Sequence, residues 1–472
     1  MLKLQRFIDS LYPDELERVR ELIVEGKQNL VLQAALRVYR VKGGSKYEHT
    51  QLDSLSTSHR HQISSVLLQR AIRVFAPEGG LPLLRLLARK QLPTIFRGEF
   101  RRVESEVLRS KDQHAIQEFY FGASILLHRF ARYPHEQALI KRCRERFAVA
   151  VKRDRTELLV FEGAELAAEL PFLARHTSNP TKTMASIERM ISAYSQKVAT
   201  QRDTRCLYFE SLIHAHLHFW RYYDADAYIG SLKRARKLLR TIDIPFVEIE
   251  QLRLEFLSAD GLMAAGKPAE AFEVYHSLYT RLGAKHELWD EPFFLLRYAE
   301  LAIVNGKLEQ AEQILSEHCV FLPYVLPNYA SANIALIRAL LLNLQGRPAE
   351  VLPYLNEAYG MNSKMKQSMF TDLRIRMVEC ASFALRGDIQ MVDVLCNRAQ
   401  QFLRSKHLGV SRYNAGKYFL VLRAFVRFAA YGTPVPPELV EAYALYTGGR
   451  FGMYGTLLEH VCKTIASATS FD

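Results

Sequence analysis

The stretch "FESLIHAHLHFW", residues 209–220, comes nearer to catalytic or metal chemistry than any other in the chain. On a helix, at roughly 100° per residue, Glu210, His214 and His218 fall along one stripe. Two imidazoles four residues apart can reach one ion, and a carboxylate one turn earlier can join them. The same stripe serves equally as a solvated face or as part of a partner surface. At most three ligands are visible and no distant fourth is signalled, so no bound metal is expected there. His216 points the other way, among Tyr208, Phe209, Leu212 and Trp220, and reads as a core histidine with a hydrogen-bond partner. His59 and His61, in "HRH", cannot converge on one helix face. "GGSK", residues 43–46, lacks the upstream glycine and the preceding strand of a phosphate-binding loop. Nucleophile elbows, zinc-protease helices and dinucleotide fingerprints have no counterpart in the sequence. No catalytic residue and no cofactor are therefore assigned.

Basic segments offer a second kind of chemistry. "KRCRER" (141–146) brings Arg142, Arg144 and Arg146 together, and "KRARKLLR" (233–240) brings Lys233, Arg234, Arg236 and Lys237. Cations so spaced on a helix can neutralise successive phosphates, each contact adding to a salt-dependent affinity. Alternatively they form the outward face of stacked helices, paired with neighbouring acids. The net charge of +13 is unevenly placed. Residues 1–240 hold 41 Lys and Arg against 26 Asp and Glu, a net +15, while residues 241–472 hold 22 against 24, a net −2. The step suggests an acidic partner for the first half, such as nucleic acid, an anionic membrane or an acidic protein; a merely solubilising surface explains it too. No aromatic-interleaved RNA motif or recognition helix accompanies the basic runs.

The elements that must carry these residues are set by a repeat. "AELAIVNGKLEQAEQIL" (299–315) has relatives in "ADGLMAAGKPAEAFEVY", "ALLLNLQGRPAEVLPYL" and "CASFALRGDIQMVDVLC". Their glycines, Gly266, Gly306, Gly346 and Gly387, stand 40 or 41 residues apart. Seven positions before each glycine comes Ala259, Ala299, Ala339 or Cys380; five after it comes Ala271, Ala311, Val351 or Val392; nine after it comes Tyr275, Leu315, Leu355 or Cys396. A glycine that closes an amphipathic helix supplies the left-handed backbone without a Cβ penalty. The next helix then doubles back. Small residues let the two axes approach, and the bulky residue one turn on fills the gap between units. A hairpin of this kind cannot bury its own apolar face and must stack on copies of itself.

This pattern, over about residues 250–402, resembles the tetratricopeptide repeat. It departs from that family in its longer period, against 34 residues, and in lacking the proline after the second helix. The resemblance implies an all-α solenoid of stacked antiparallel hairpins whose first helices line a concave, partner-binding groove. Carried over by register, the groove contacts are Arg253, Asp260, Leu296, Glu300, Asn333, Asn343 and Arg374, interspersed with Phe256, Leu336 and Met377. The pairs Leu296/Glu300, Leu336/Leu340 and Met377/Ala381 do not match the Lys and Asn with which one subtype grips a terminal carboxylate.

Weaker helix breaks centre near Gln91, Tyr133, Asn179, Asp224 and Gly432, and strand signals are nearly absent. Pro13-Asp14-Glu15 makes a good helix start, "VKGGSKYEHT" (41–50) reads as a loop, and "PEGG" (77–80) as a boundary. The expected organisation is an N-terminal helical element (1–80), degenerate basic hairpins (81–245), and regular repeats ending in capping helices (246–472). The 472 residues are 49% hydrophobic and 24% charged, the balance of a folded soluble chain. Neither a signal-peptide core nor a membrane span is expected, and six scattered cysteines fit reduced thiols in the cytoplasm. The expected function is a non-enzymatic scaffold or adaptor that binds a protein or peptide. The alternative is a cytoplasmic regulator that binds nucleic acid through its basic first half.

Overall fold

The computed structural model describes residues 2–9, 11, 13–21, 31–32, 56–90, 92–128, 134–175, 180–218, 224–244, 247–282, 292–318, 327–364, 369–405, 415–447 and 452–469. Among these residues the chain is helical throughout, with 22 α-helices and no strand. It forms two compact units, residues 1–161 and 162–472. The charge step near residue 245 falls inside the second.

The first unit contains α1 (Leu2–Asp9), α2 (Pro13–Arg20), α3 (Thr57–Phe75), α4 (Gly80–Arg89), α5 (Pro93–Ser110), α6 (Gln113–Leu127), α7 (Pro134–Ala150) and the start of α8 (Arg155–Arg175). The helix start at Pro13 is as the sequence suggests. "PEGG" forms the turn between α3 and α4, with Gly79 and Gly80 at φ of 69° and 59°. Its core includes the stacked rings of Phe147 and Phe161, with centroids 4.4 Å apart.

The second unit continues through α9 (Pro180–Gln201), α10 (Thr204–Leu217), α11 (Ala225–Leu239), α12 (Val247–Ala264), α13 (Pro268–Leu282), α14 (Pro292–Val304) and α15 (Leu308–Gln313). It ends with α16 (Pro327–Leu344), α17 (Leu352–Lys364), α18 (Met369–Leu385), α19 (Ile389–Ser405), α20 (Ala415–Tyr431), α21 (Pro437–Thr447) and α22 (Gly452–Thr469). Each hairpin packs its two helices together, and first helix packs on first helix along α14, α16, α18 and α20. This is an α-solenoid of stacked antiparallel hairpins.

The four repeat glycines do what their register requires. Gly266, Gly306, Gly346 and Gly387 have φ between 72° and 74°. Each closes a first helix with the same two bonds. Gly266 N–H reaches Met263 O at 3.0 Å and Lys267 N–H reaches Leu262 O at 2.9 Å; Gly306, Gly346 and Gly387 repeat the pattern. Ala259, Ala271, Ala299, Ala311 and Ala339 are completely buried between the paired helices.

In the earlier hairpins, cations replace the glycines. Lys152, at φ 51°, closes α7 with the identical pair of bonds: its own N–H to Val149 O and Arg153 N–H to Ala148 O. Lys111 and Arg202 are also left-handed, at 56° and 53°. An aspartate follows each turn and caps the next helix. Asp112 accepts from His114 and Ala115 N–H, Asp154 from Thr156 and Glu157, and Asp203 from Arg205 and Cys206. These turns are additional to the breaks read from sequence. Of the latter, Asp224 caps α11 and Gly432 follows α20. Gln91, Tyr133, Asn179 and the 41–50 segment lie outside the described residues.

Candidate functional site: the face built by the first helices

The first helices carry the groove positions on one side, and that side changes character along the stack. At its early end it is charged and half-buried. The Arg297 guanidinium bonds Asp260 at 2.8 Å through Nε and Glu300 at 2.7 Å through Nη1. Arg253 lies 3.4 Å from Glu250, which also accepts the Tyr208 hydroxyl at 2.8 Å. Burial beside Glu250 pushes the Tyr208 phenol well up. Sequence register assigned Arg253, Asp260 and Glu300 to this surface but missed Arg297. That residue sits three positions before Glu300 on the same helix, a spacing that lets the two side chains pair.

Further along, the same face is apolar and covered. Leu296, Leu336, Leu340 and Met377 are at most 4% exposed. What covers this part of the face is α22. It packs against α14, α16, α18 and α20, the first helices of four successive hairpins, and against α21. Its Met453, Leu457, Leu458, Val461 and Cys462 join the continuous core of the array. Read from sequence, the array ends in capping helices; the last of the described helices, α22, packs on four first helices of the stack.

Three groove assignments are corrected by this geometry. Leu296 is buried, as is Asn333. Asn343 is fully buried and its amide donates to Ser382 Oγ at 2.9 Å and Val378 O at 3.4 Å, tying α16 to α18. A fully buried amide is not available to a partner. Arg374 lies over the Tyr454 ring of α22, 5.8 Å from its centroid. His460 of α22 has its pKa lowered by burial, against an opposing hydrogen bond with the Asn343 backbone.

The basic segments divide. Arg142 clamps Glu104 through Nε at 2.9 Å and Nη2 at 2.7 Å, and Glu104 also accepts the Tyr120 hydroxyl at 3.0 Å. Arg142 is thus a clamp on a buried carboxylate while its own side chain stays exposed. Lys90, fully buried, meets Glu15 at 2.7 Å, and Arg97 meets the buried Glu136 at 3.3 Å. Three cations of the first half are therefore held in internal ion pairs, each with an acid of the same half, which leaves its net excess of positive charge unchanged. Arg144 and Arg146 are exposed. On α11, Lys233, Arg234, Arg236 and Lys237 are all exposed, as is Arg240. They span an arc of roughly 160° opposite the buried Leu232, Ala235 and Leu239.

The histidine stripe is partly buried. His214 Nε2 lies 3.1 Å from Ser195 Oγ, and the His214 and His218 ring centroids are 6.2 Å apart. Burial lowers the His214 pKa, Glu210 opposes that shift, and His218 and Arg234 reinforce it. His216 is buried on the other side, as a core residue should be. Among the described residues no group of three or more His, Cys, Asp or Glu is placed to hold a metal ion. No helix among them is long and apolar enough to cross a membrane.

No protein-family model, curated protein or solved structure matches this chain. The class is therefore defined by the fold alone, an α-solenoid with a helix laid across its first-helix face.

Proposed function

We propose that the protein is a non-enzymatic interaction scaffold of tetratricopeptide-like design, whose first-helix face receives a helix or peptide of a protein partner. The observation that carries this reading is α22 itself, an amphipathic helix seated along four consecutive first helices. A face that accommodates one helix lengthwise has the shape and chemistry of helix-in-groove recognition. The early end, where Arg253, Asp260, Arg297 and Glu300 form half-buried ion pairs, supplies polar selectivity beside it. A cytoplasmic setting is supported by the five described cysteines, all free buried thiols.

Capture of a protein partner by the full-length chain, after nuclease treatment and at moderate salt, tests the proposal. Reversing Asp260 and Glu300 to Lys should lower capture more than about tenfold, because like charges across a docked surface cost both rate and affinity. Reversing Lys233 and Arg236 to Glu should leave it unchanged. The opposite pattern overturns the groove reading.

A second reading is favoured by α11, whose five exposed cations lie within eight residues. Such a face suits a polyanion such as nucleic acid. Binding of labelled RNA or DNA should then fall steeply with salt, with a log–log slope near the number of phosphates neutralised. The Lys233→Glu and Arg236→Glu changes should flatten that slope. Unchanged binding would remove α11 from consideration.

A further inference from the structure

We infer that α22 is a resident stand-in for a partner helix, and that the partner is an amphipathic helix carrying the same apolar spacing. The inference rests on the scaffold reading and names its ligand. The spacing is that of Met453, Leu457, Leu458, Val461 and Cys462, at n, n+4, n+5, n+8 and n+9.

Three features of the chain separate α22 from the hairpins it covers. First, hairpin helices pack on their sequence neighbours, whereas α22 reaches back across the array as far as α14. The first-helix contacts of α14 with α16, α16 with α18 and α18 with α20 do not pass through it. It follows the last hairpin, so its departure dismantles none of them. Second, its helicity comes from the seat. Its 18 residues, GMYGTLLEHVCKTIASAT, include two Gly, three Thr, one Val and one Ile, all weak helix formers. Released, such a segment unwinds, and the recovered chain entropy offsets part of the lost burial. Local opening of α22 is therefore easier than opening a hairpin whose helices clasp each other. Third, the seat is specified by chemistry that any helix of this pattern meets. The first helices on which it packs bury Leu296, Leu336, Leu340 and Met377, and α22 turns Lys463 and Thr464 outward.

Cys462 provides a direct reporter in the unaltered full-length protein. It is buried on α22 itself, whereas Cys380 and Cys396 meet each other between the two helices of the α18–α19 hairpin. Native-state labelling with a maleimide, read by peptide mass mapping, follows each thiol separately. Cys462 should react about tenfold or more faster than Cys380 and Cys396, since it needs only local opening. A synthetic peptide of residues 452–469, with its cysteine replaced by serine, should accelerate Cys462 further by trapping the vacated seat. The same peptide carrying Leu457→Asp and Leu458→Asp should not. Equal, slow labelling of all three thiols means that α22 leaves only on global unfolding, which overturns the inference. Fast labelling of Cys462 that ignores the peptide shows a seat unable to take a helix in trans, and overturns the partner assignment. Neither failure touches the Asp260 and Glu300 reversal test, which reads the scaffold function at the charged early end.

Discussion

Replacing Gly346 by Ala isolates the backbone term on which the repeat is built. The glycine sits at φ 74°, and a Cβ added there would meet no atom within 4 Å. No packing clash or lost contact complicates the change. The left-handed conformation costs an L-residue about 1–2 kcal/mol. Losing glycine's freedom in the unfolded chain returns about 0.4–1 kcal/mol. The net expectation is a destabilisation of about 1 kcal/mol. The mirror substitution is Lys152→Gly, at a left-handed position with the same two closing bonds and an exposed side chain. It should stabilise by about 0.5–1 kcal/mol on the same two terms with reversed sign. Urea unfolding measures both, with tryptophan fluorescence and circular dichroism followed together to separate the two units. The midpoint should move down for Gly346→Ala and up for Lys152→Gly, with unchanged slopes. A neutral Gly346→Ala together with a destabilising Lys152→Gly would refute the assignment of these turns to the left-handed cap.

Packing and protonation offer further tests. Ala299→Leu places three extra heavy atoms at a completely buried crossing and should cost about 1–3 kcal/mol in urea midpoint analysis. Gly261→Ala puts a Cβ 2.8 Å from Ile229 Cγ1 and 2.9 Å from Tyr228 Cδ1. Tyr228 is held by its hydroxyl bond to Leu257 O, so the clash should cost about 1–3 kcal/mol and outweigh the propensity gain of about 1 kcal/mol. His214 and His460 both have lowered pKa values in the fold, so the unfolded chain takes up protons first as pH falls. Their contribution is intact above the ordinary imidazole value of about 6.5 and is lost as pH drops below it. Stability measured from pH 7.5 to 5 should fall, and His214→Gln with His460→Gln should flatten the fall; an unchanged pH profile in that double variant would sink the assignment.

The regular hairpins were legible in the sequence because their turns depend on one residue type. Gly266, Gly306, Gly346 and Gly387 need a left-handed backbone, and the small residues at fixed offsets need close helix crossings; both requirements are local. The earlier turns obey the same geometry, but Lys111, Lys152 and Arg202 adopt it without a glycine. No alignment anchored on glycine could find them. The Asp that follows each was visible, and it marks the helix starts. The charged positions Asp260 and Glu300 follow from register, and the apolar pairs Leu336/Leu340 and Met377/Ala381 show that the later groove is no carboxylate clamp.

Tertiary structure alone decided what those apolar positions meet. An apolar residue on a first helix looks the same in sequence whether a partner or the chain's own terminus covers it, because burial is a property of the assembled surface. Asn343 reads in sequence as a groove contact, but its amide is fully buried on Ser382; Arg142 reads as a surface cation, and nothing in the sequence shows that it also holds Glu104. Pairing between helices 38 or 39 residues apart leaves no periodic mark. The local pattern therefore determined the hairpin, its turn and its small-residue crossing. The seating of α22 on the first helices came from packing between distant segments, which depends on shape and position and not on residue type.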